Sequence, residues 1–179
     1  QDEEAMEKAI RMDLMLHAYM FTQSGIPVIY SGDEIGQEND YTYHEDPDKQ
    51  ADSRYLHRGR FPWELAEKRK EAGTVQERLF TGIGKLEEIR QSREVFDGGA
   101  DVWTLDTWED SILGLARAKG GEKLVALFNF SESPKTAWIA EEDGMYTDLI
   151  TGKRMAAKGV QMPGYGVYWL LRESGGGNA

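Results

Sequence analysis

The stretch that most constrains this chain is Ser24-Gly25-Ile26-Pro27-Val28-Ile29-Tyr30-Ser31-Gly32-Asp33-Glu34-Ile35-Gly36, an apolar run closed by a glycine-flanked pair of acids. A short apolar run bounded by Gly-x-Pro and Gly-Asp-Glu reads as a fully buried parallel strand, Pro27 to Tyr30, with carboxylates at its C-terminal end. In parallel α/β proteins that end is where chemistry happens. Asp33 and Glu34 are thus the first candidate site residues.

On either side of this strand the pattern is helical. Met6, Ile10 and Leu14 recur at helical spacing, and residues 12 to 21 are apolar on nearly all faces apart from Asp13 and His17, so a helix over 4–21 needs burial on more than one side. Acids at positions 2 to 4 suit the positive end of its dipole, and Ser24-Gly25 before Pro27 ends it. Residues 31 to 72 form a polar, acid-rich excursion too long for an idle connection. A second helix over 74–93 opens on a Thr74/Glu77 capping box and carries Val75, Leu79, Ile83, Leu86 and Ile89 on one face.

From about residue 100 the period changes. Short alternating or apolar runs, 102–106, 112–118, 124–129, 136–139, 145–149 and 167–171, predict a small antiparallel β domain, with hairpin turns at 118–122 and 151–153. Four tryptophans there, Trp103, Trp108, Trp138 and Trp169, read as its core. Ser174-Gly175-Gly176-Gly177 has nothing to pack and reads as a flexible tail over 174–179.

Composition narrows the function classes. The chain has 179 residues, a net charge of -11 and no cysteine. Its charge argues against nucleic acid and anionic membranes as partners, and the missing thiols exclude disulfides and thiol chemistry. Both a cytoplasmic and a secreted location fit. Apolar runs fall short of the ~20 residues that span a bilayer. An acidic start without Met is no signal peptide and suggests a chain cut from something longer.

Gly25, Pro27, Tyr30, Gly32 and Glu34 resemble the eighth-strand motif of the α-amylase superfamily, glycoside hydrolase family 13. Asp52-Ser53-Arg54-Tyr55-Leu56-His57-Arg58-Gly59 is similar to the Asp-Ser-Arg-Trp-x-His-Arg-Pro segment of its amylosucrases and sucrose hydrolases, with Tyr55 for Trp and Gly59 for Pro. Ile89 to Ser92, Phe96 to Gly99 and Phe128 to Glu132 also look like that subgroup.

The resemblance implies an α/β plus all-β chain: the last helix-strand-helix portion of a (β/α)8 TIM barrel over residues 1–98, then an antiparallel β-sandwich C-terminal domain over 99–173. Residues 4–21 would be the seventh barrel helix, 26–30 the eighth strand, 31–72 the eighth loop and 74–93 the eighth helix. It further implies that the three catalytic carboxylates lie on upstream strands, that no cofactor or metal is needed, and that the intact enzyme acts on sucrose or an α-glucan. Partners are then the upstream part of the barrel and, through exposed barrel elements, a second copy of the chain.

For Asp33 and Glu34 two readings stand: framework of the loop, or contact with sugar. Neighbours on an extended segment point to opposite faces, so they are badly placed to flank one glycosidic bond. Arg54 matches the family's loop arginine that pairs with an upstream carboxylate and holds the glucosyl ring, against the alternative of one more solvated arginine. Tyr41, Tyr43, Phe61 and Trp63 either stack on a sugar or pack the loop down. His17 reads as a satisfied core histidine. His44 and His57 fit no common metal-ligand spacing.

Overall fold

The computed structural model describes residues 2–139 and 143–172, so the expected tail over 174–179 lies outside the described residues. The chain divides into two compact units, Gln1–Pro27 with Ile83–Ala179, and Val28–Gly82. Their boundary at residue 82 falls inside a helix.

In the first unit, helix α1 (Glu3–Thr22) starts where Asp2 caps it, its Oδ1 accepting from Glu4 N at 3.0 Å. Ile10, Met15, Ala18 and Phe21 are buried on one side. The expected burial on further sides does not occur: Met12 and Leu16, a turn apart on another face, are exposed. His17 is largely buried and its Nδ1 lies 3.0 Å from Asp13 O and 3.2 Å from Asp13 Oδ2, as a satisfied histidine should be.

Among the described residues eight strands follow: β1 (Asp101–Leu105), β2 (Ile112–Lys119), β3 (Glu122–Asn129), β4 (Lys135–Trp138), β5 (Met145–Asp148), β6 (Arg154–Ala156), β7 (Lys158–Met162) and β8 (Val167–Arg172). Six form one antiparallel sheet in the order β1-β2-β3-β8-β5-β6, and β4 pairs with β7 in a second. Sequence periodicity missed β6 and β7, because runs of three and five residues carrying Arg, Lys, Gly and Gln show little alternation.

The centre of the large sheet is buried on both faces, which is why β3 reads as a continuous apolar run, while the outer strands β1 and β6 are largely exposed. One face shares a core with the small sheet through Val125, Leu127, Tyr146 and Leu170 against Ala137, Val160 and Met162. The opposite face meets α1. There Tyr19 packs edge-on to Phe128 at 5.6 Å, and the Trp169 indole N–H donates to Thr22 Oγ1 at 3.0 Å. Of the four tryptophans expected in the core, Trp169 alone is buried; Trp103, Trp108 and Trp138 are exposed, since their strand faces or turns look outward.

The predicted strand Pro27 to Tyr30 does not form. Residues 26–30 carry no regular secondary structure and no ladder bond among the described residues, and Ile26 and Val28 are 92% and 76% exposed. A strand is defined by its neighbours, and among the described residues no parallel neighbour buries this one.

In the second unit, residues 28–82, no strand forms among the described residues. Short 3₁₀ turns at Asp33–Ile35, Tyr41–Glu45, Ser53–His57 and Lys68–Lys70 alternate with the five-residue helix α2 (Trp63–Glu67) and run into helix α3 (Val75–Gln91). The start of α3 departs from a full capping box. Thr74 Oγ1 accepts from Glu77 N at 3.1 Å, but the Glu77 carboxylate turns to Gly73 N, 3.3 Å away, while Thr74 N donates to Glu71 O.

Candidate functional site

The acid-rich excursion folds because its acids hold their own backbone. Asp40 Oδ1 accepts from Thr42 N at 2.9 Å, Asp46 Oδ1 from Asp48 N at 3.0 Å and Asp52 Oδ1 from Arg54 N at 3.0 Å. These are side-chain turns, the local alternative to secondary structure for Asp and Asn. Glu34 does the same across the left-handed Gly32: its Oε2 accepts from Gly32 N at 2.8 Å. Hydrogen bonds to the charged form lower the carboxyl pKa of Asp40, Asp46 and Asp52.

These turns leave two neighbouring cavities inside the unit. The larger, about 440 Å³, is lined by Ser31, Glu34 and Ile35 from the first turn, Phe61, Trp63, Ala66 and Arg69 around α2, and Phe80 from α3. The smaller, about 170 Å³, shares Ser31 and Phe61 and adds Tyr30, Gln37 and His57 to Gly59. Phe61 and Trp63 meet at 4.7 Å with ring planes inclined at 63°, and the Arg69 guanidinium lies 5.7 Å from the Phe80 ring centre. Arg69 is held by Ala66 O, to which its Nη1 donates at 2.6 Å.

The structure separates the three predicted site residues. Glu34 lines the larger cavity, with one oxygen spent on the turn. Asp33 is exposed and lines neither cavity. The two acids diverge for a reason other than the one expected: residues 33–35 form a 3₁₀ turn, which rotates successive side chains by about 120°, rather than an extended segment.

Arg54 lines neither cavity and its side chain is 71% exposed, yet it is not loose. Its Nε and Nη2 fork the Asp52 carboxylate at 2.8 and 2.7 Å, and this pair holds the Asp52 pKa at about 2. Within this chain the carboxylate that Arg54 engages is two residues away.

Gly59, where the resemblance expects Pro, matters through space rather than through φ. A Cβ built on it would sit 3.1 Å from Asp40 Cβ and 3.3 Å from Gln37 Nε2, the group that donates to Gly59 O. Arg69 and Phe80 escaped the sequence reading. Phe80 carried a signal, an aromatic just off the apolar stripe of α3, whereas Arg69 is one basic residue in the run Lys68 to Lys70.

Known proteins match the chain over most of its length. A family model described as a β-galactosidase C-terminal domain matches residues 115–168, from within β2 into β8. The glucosylglycerate phosphorylase of Escherichia coli K12 is 24% identical over 159 residues, which is 88% of this chain and 27% of that protein. A maltogenic amylase from S. marinus superposes with a TM-score of 0.62 at 23% identity, over 91% of this chain and 19% of the amylase. AmyP in complex with maltose gives 0.71 at 16% identity, over 94% of this chain and 36% of AmyP. The chain therefore spans about a quarter of the curated relative it matches. Likeness at these identities is one of fold: a helical part followed by antiparallel sheet.

Proposed function

We propose that this chain is the C-terminal part of a retaining α-glucoside-acting enzyme of glycoside hydrolase family 13, and that the enzyme cleaves sucrose and passes the glucosyl group to a glucan or to water. On this reading α1, residues 26–30 and α3 are the seventh helix, eighth strand and eighth helix of the barrel, and the run 26–30 forms its ladder with parallel neighbours of the intact barrel. The observation that carries it is the segment Asp52 to Arg60, together with a fold shared with an amylase over 91% of the chain.

Retaining transfer needs two carboxyl groups about 5–5.5 Å apart, one attacking the anomeric carbon and one protonating the leaving oxygen. The resemblance implies that both lie on upstream strands of the barrel. Arg54 contributes binding: its fork leaves Asp52 for a barrel carboxylate and the hydroxyls of the innermost glucosyl ring.

The test is to express the chain joined to the rest of its barrel and to follow fructose release from sucrose. The expected result is turnover in the parent and a loss of at least ~100-fold in kcat/KM for Arg54→Ala, from a charged fork that positions the sugar. An enzyme that cleaves starch and leaves sucrose intact overturns the sucrose reading. A second reading rests on the match of residues 115–168 to a β-galactosidase C-terminal domain. In it the β domain is a non-catalytic module that stabilises a barrel of other specificity or binds glucan, and the same assay then shows no fructose.

A further inference from the structure

The chain holds two Asp-Gly dipeptides, Asp97-Gly98 and Asp143-Gly144, and the fold treats them differently. We propose that Asp143-Gly144 is a site of spontaneous backbone modification, where aspartate converts to isoaspartate with water as co-reactant, while the fold protects Asp97-Gly98. This chemistry is independent of the sucrose reading.

Glycine is the residue that permits the reaction. With no side chain in the way, the Gly144 amide nitrogen can attack Cγ of Asp143 and close a five-membered imide; the carboxyl hydroxyl and the amide proton leave as water. Water then adds to the main-chain carbonyl carbon of Asp143 and breaks its bond to the Gly144 nitrogen. The chain now runs through Cγ, one methylene longer, and the former carbonyl carbon carries the carboxylate. Nothing is oxidised or reduced.

Ring closure needs rotation about the Cα–C bond of the aspartate, which swings that residue's own carbonyl oxygen. At Asp97 this oxygen is held, because Arg117 Nη2 donates to it at 2.7 Å and Ala100 N at 3.0 Å. The side chain is held as well: Oδ1 accepts from Gly99 N at 2.8 Å and pairs with Lys119. At Asp143 the situation is the reverse. Among the described residues no hydrogen bond holds its carbonyl or the Gly144 N–H. Its side chain is 86% exposed, and a Cβ built on Gly144, whose φ is +102°, meets nothing within 4 Å. Lys158 restrains the carboxylate, Nζ donating to Oδ1 at 2.5 Å, but an exposed pair of this kind is weak.

Ionisation does not separate the two sites. Lysine hydrogen bonds hold both carboxyls below their usual pKa, Lys119 at Asp97 and Lys158 at Asp143. The difference lies in the clamped carbonyl.

The experiment incubates the folded chain for several weeks in mildly acidic ¹⁸O-labelled water, and peptide mass mapping reads heavy oxygen and isoaspartate at each dipeptide. Each ring opening fixes one oxygen from solvent. Conversion at Asp143 is expected to run ~10-fold or more ahead of Asp97, where two carbonyl hydrogen bonds must break first. In concentrated urea the clamp is gone, and the two rates should agree within about threefold. Asp143→Glu keeps the charge at an exposed position and should end the modification there, since closure would need a six-membered ring, while Asp97 stays as in the parent. The proposal is overturned if Asp143 takes up no heavy oxygen in the folded chain, if Asp97 keeps pace with it, or if the same preference persists in urea, which would assign it to local sequence rather than to the fold. No turnover is read, so either result stands apart from the sucrose assay.

Discussion

Asp52 and Arg54 are only two residues apart, and the sequence presents them as separate polar positions. The turn at Ser53–His57 makes them a pair, because Asp52 caps the Arg54 N–H and the side chain then folds back onto the same carboxylate. The Arg54 hydrogen bonds lower the Asp52 pKa from its usual 3.8 to about 2. Since the folded value lies below the unfolded one, the pair's contribution is complete above pH 4 and is lost as pH falls through 2. Carboxyl ¹³C NMR should place the Asp52 midpoint near 2 in the parent and back towards the ordinary range in Arg54→Ala; a parent midpoint near 3.8 would contradict the pairing. The same residue-scale logic explains why Glu34 and Asp33 were inseparable on paper. Only the local turn decides which of two adjacent acids faces a cavity.

Elements were the most legible level, and their junctions the least. The helical periods gave α1 and α3 within one or two residues, and the change to short alternating runs located six of the eight strands. Arg117 is what no period revealed. It sits in the apolar strand β2, is fully buried, and donates to three backbone carbonyls: Thr22 O at 2.6 Å, Val95 O at 2.7 Å and Asp97 O at 2.7 Å. One of these is at the C-terminal end of α1, where helix carbonyls lack partners. Arg90 does similar work nearby, bonding Phe21 O, Gln23 O and Gly25 O. Burial lowers the Arg117 pKa and the charge of Arg90 adds to the effect, so the position is costly unless each carbonyl contact is made. Arg117→Met should destabilise the chain by about 3–5 kcal/mol in urea unfolding, because it strands two buried acceptors, Thr22 O and Val95 O, and a part-buried one, Asp97 O. A loss under about 1 kcal/mol would show that α1 is held to the sheet by its apolar face alone.

At the scale of the whole molecule, apolar surface is left in water on both sides of the unit boundary. Ile26 is exposed in one unit and Val28 and Tyr30 in the other, in a run without a ladder among the described residues. Exposed apolar side chains favour association with another chain. Size-exclusion chromatography with light scattering should therefore detect self-association at micromolar concentrations, reduced in the double variant Ile26→Asp with Val28→Asp. A strictly monomeric parent would contradict this, and so would a double variant that associates as before. By itself the sequence determined the helices, most strands, the glycine turns and the family to which the chain bears a resemblance, since these follow from local period and short motifs. The tertiary structure decided which tryptophan is core, that Arg54 has a partner in its own loop, that Glu34 and Arg69 share a cavity, and that the run from Gly25 to Tyr30 is no strand in this chain. Those outcomes depend on groups distant in sequence, because burial and pairing belong to neighbours in space.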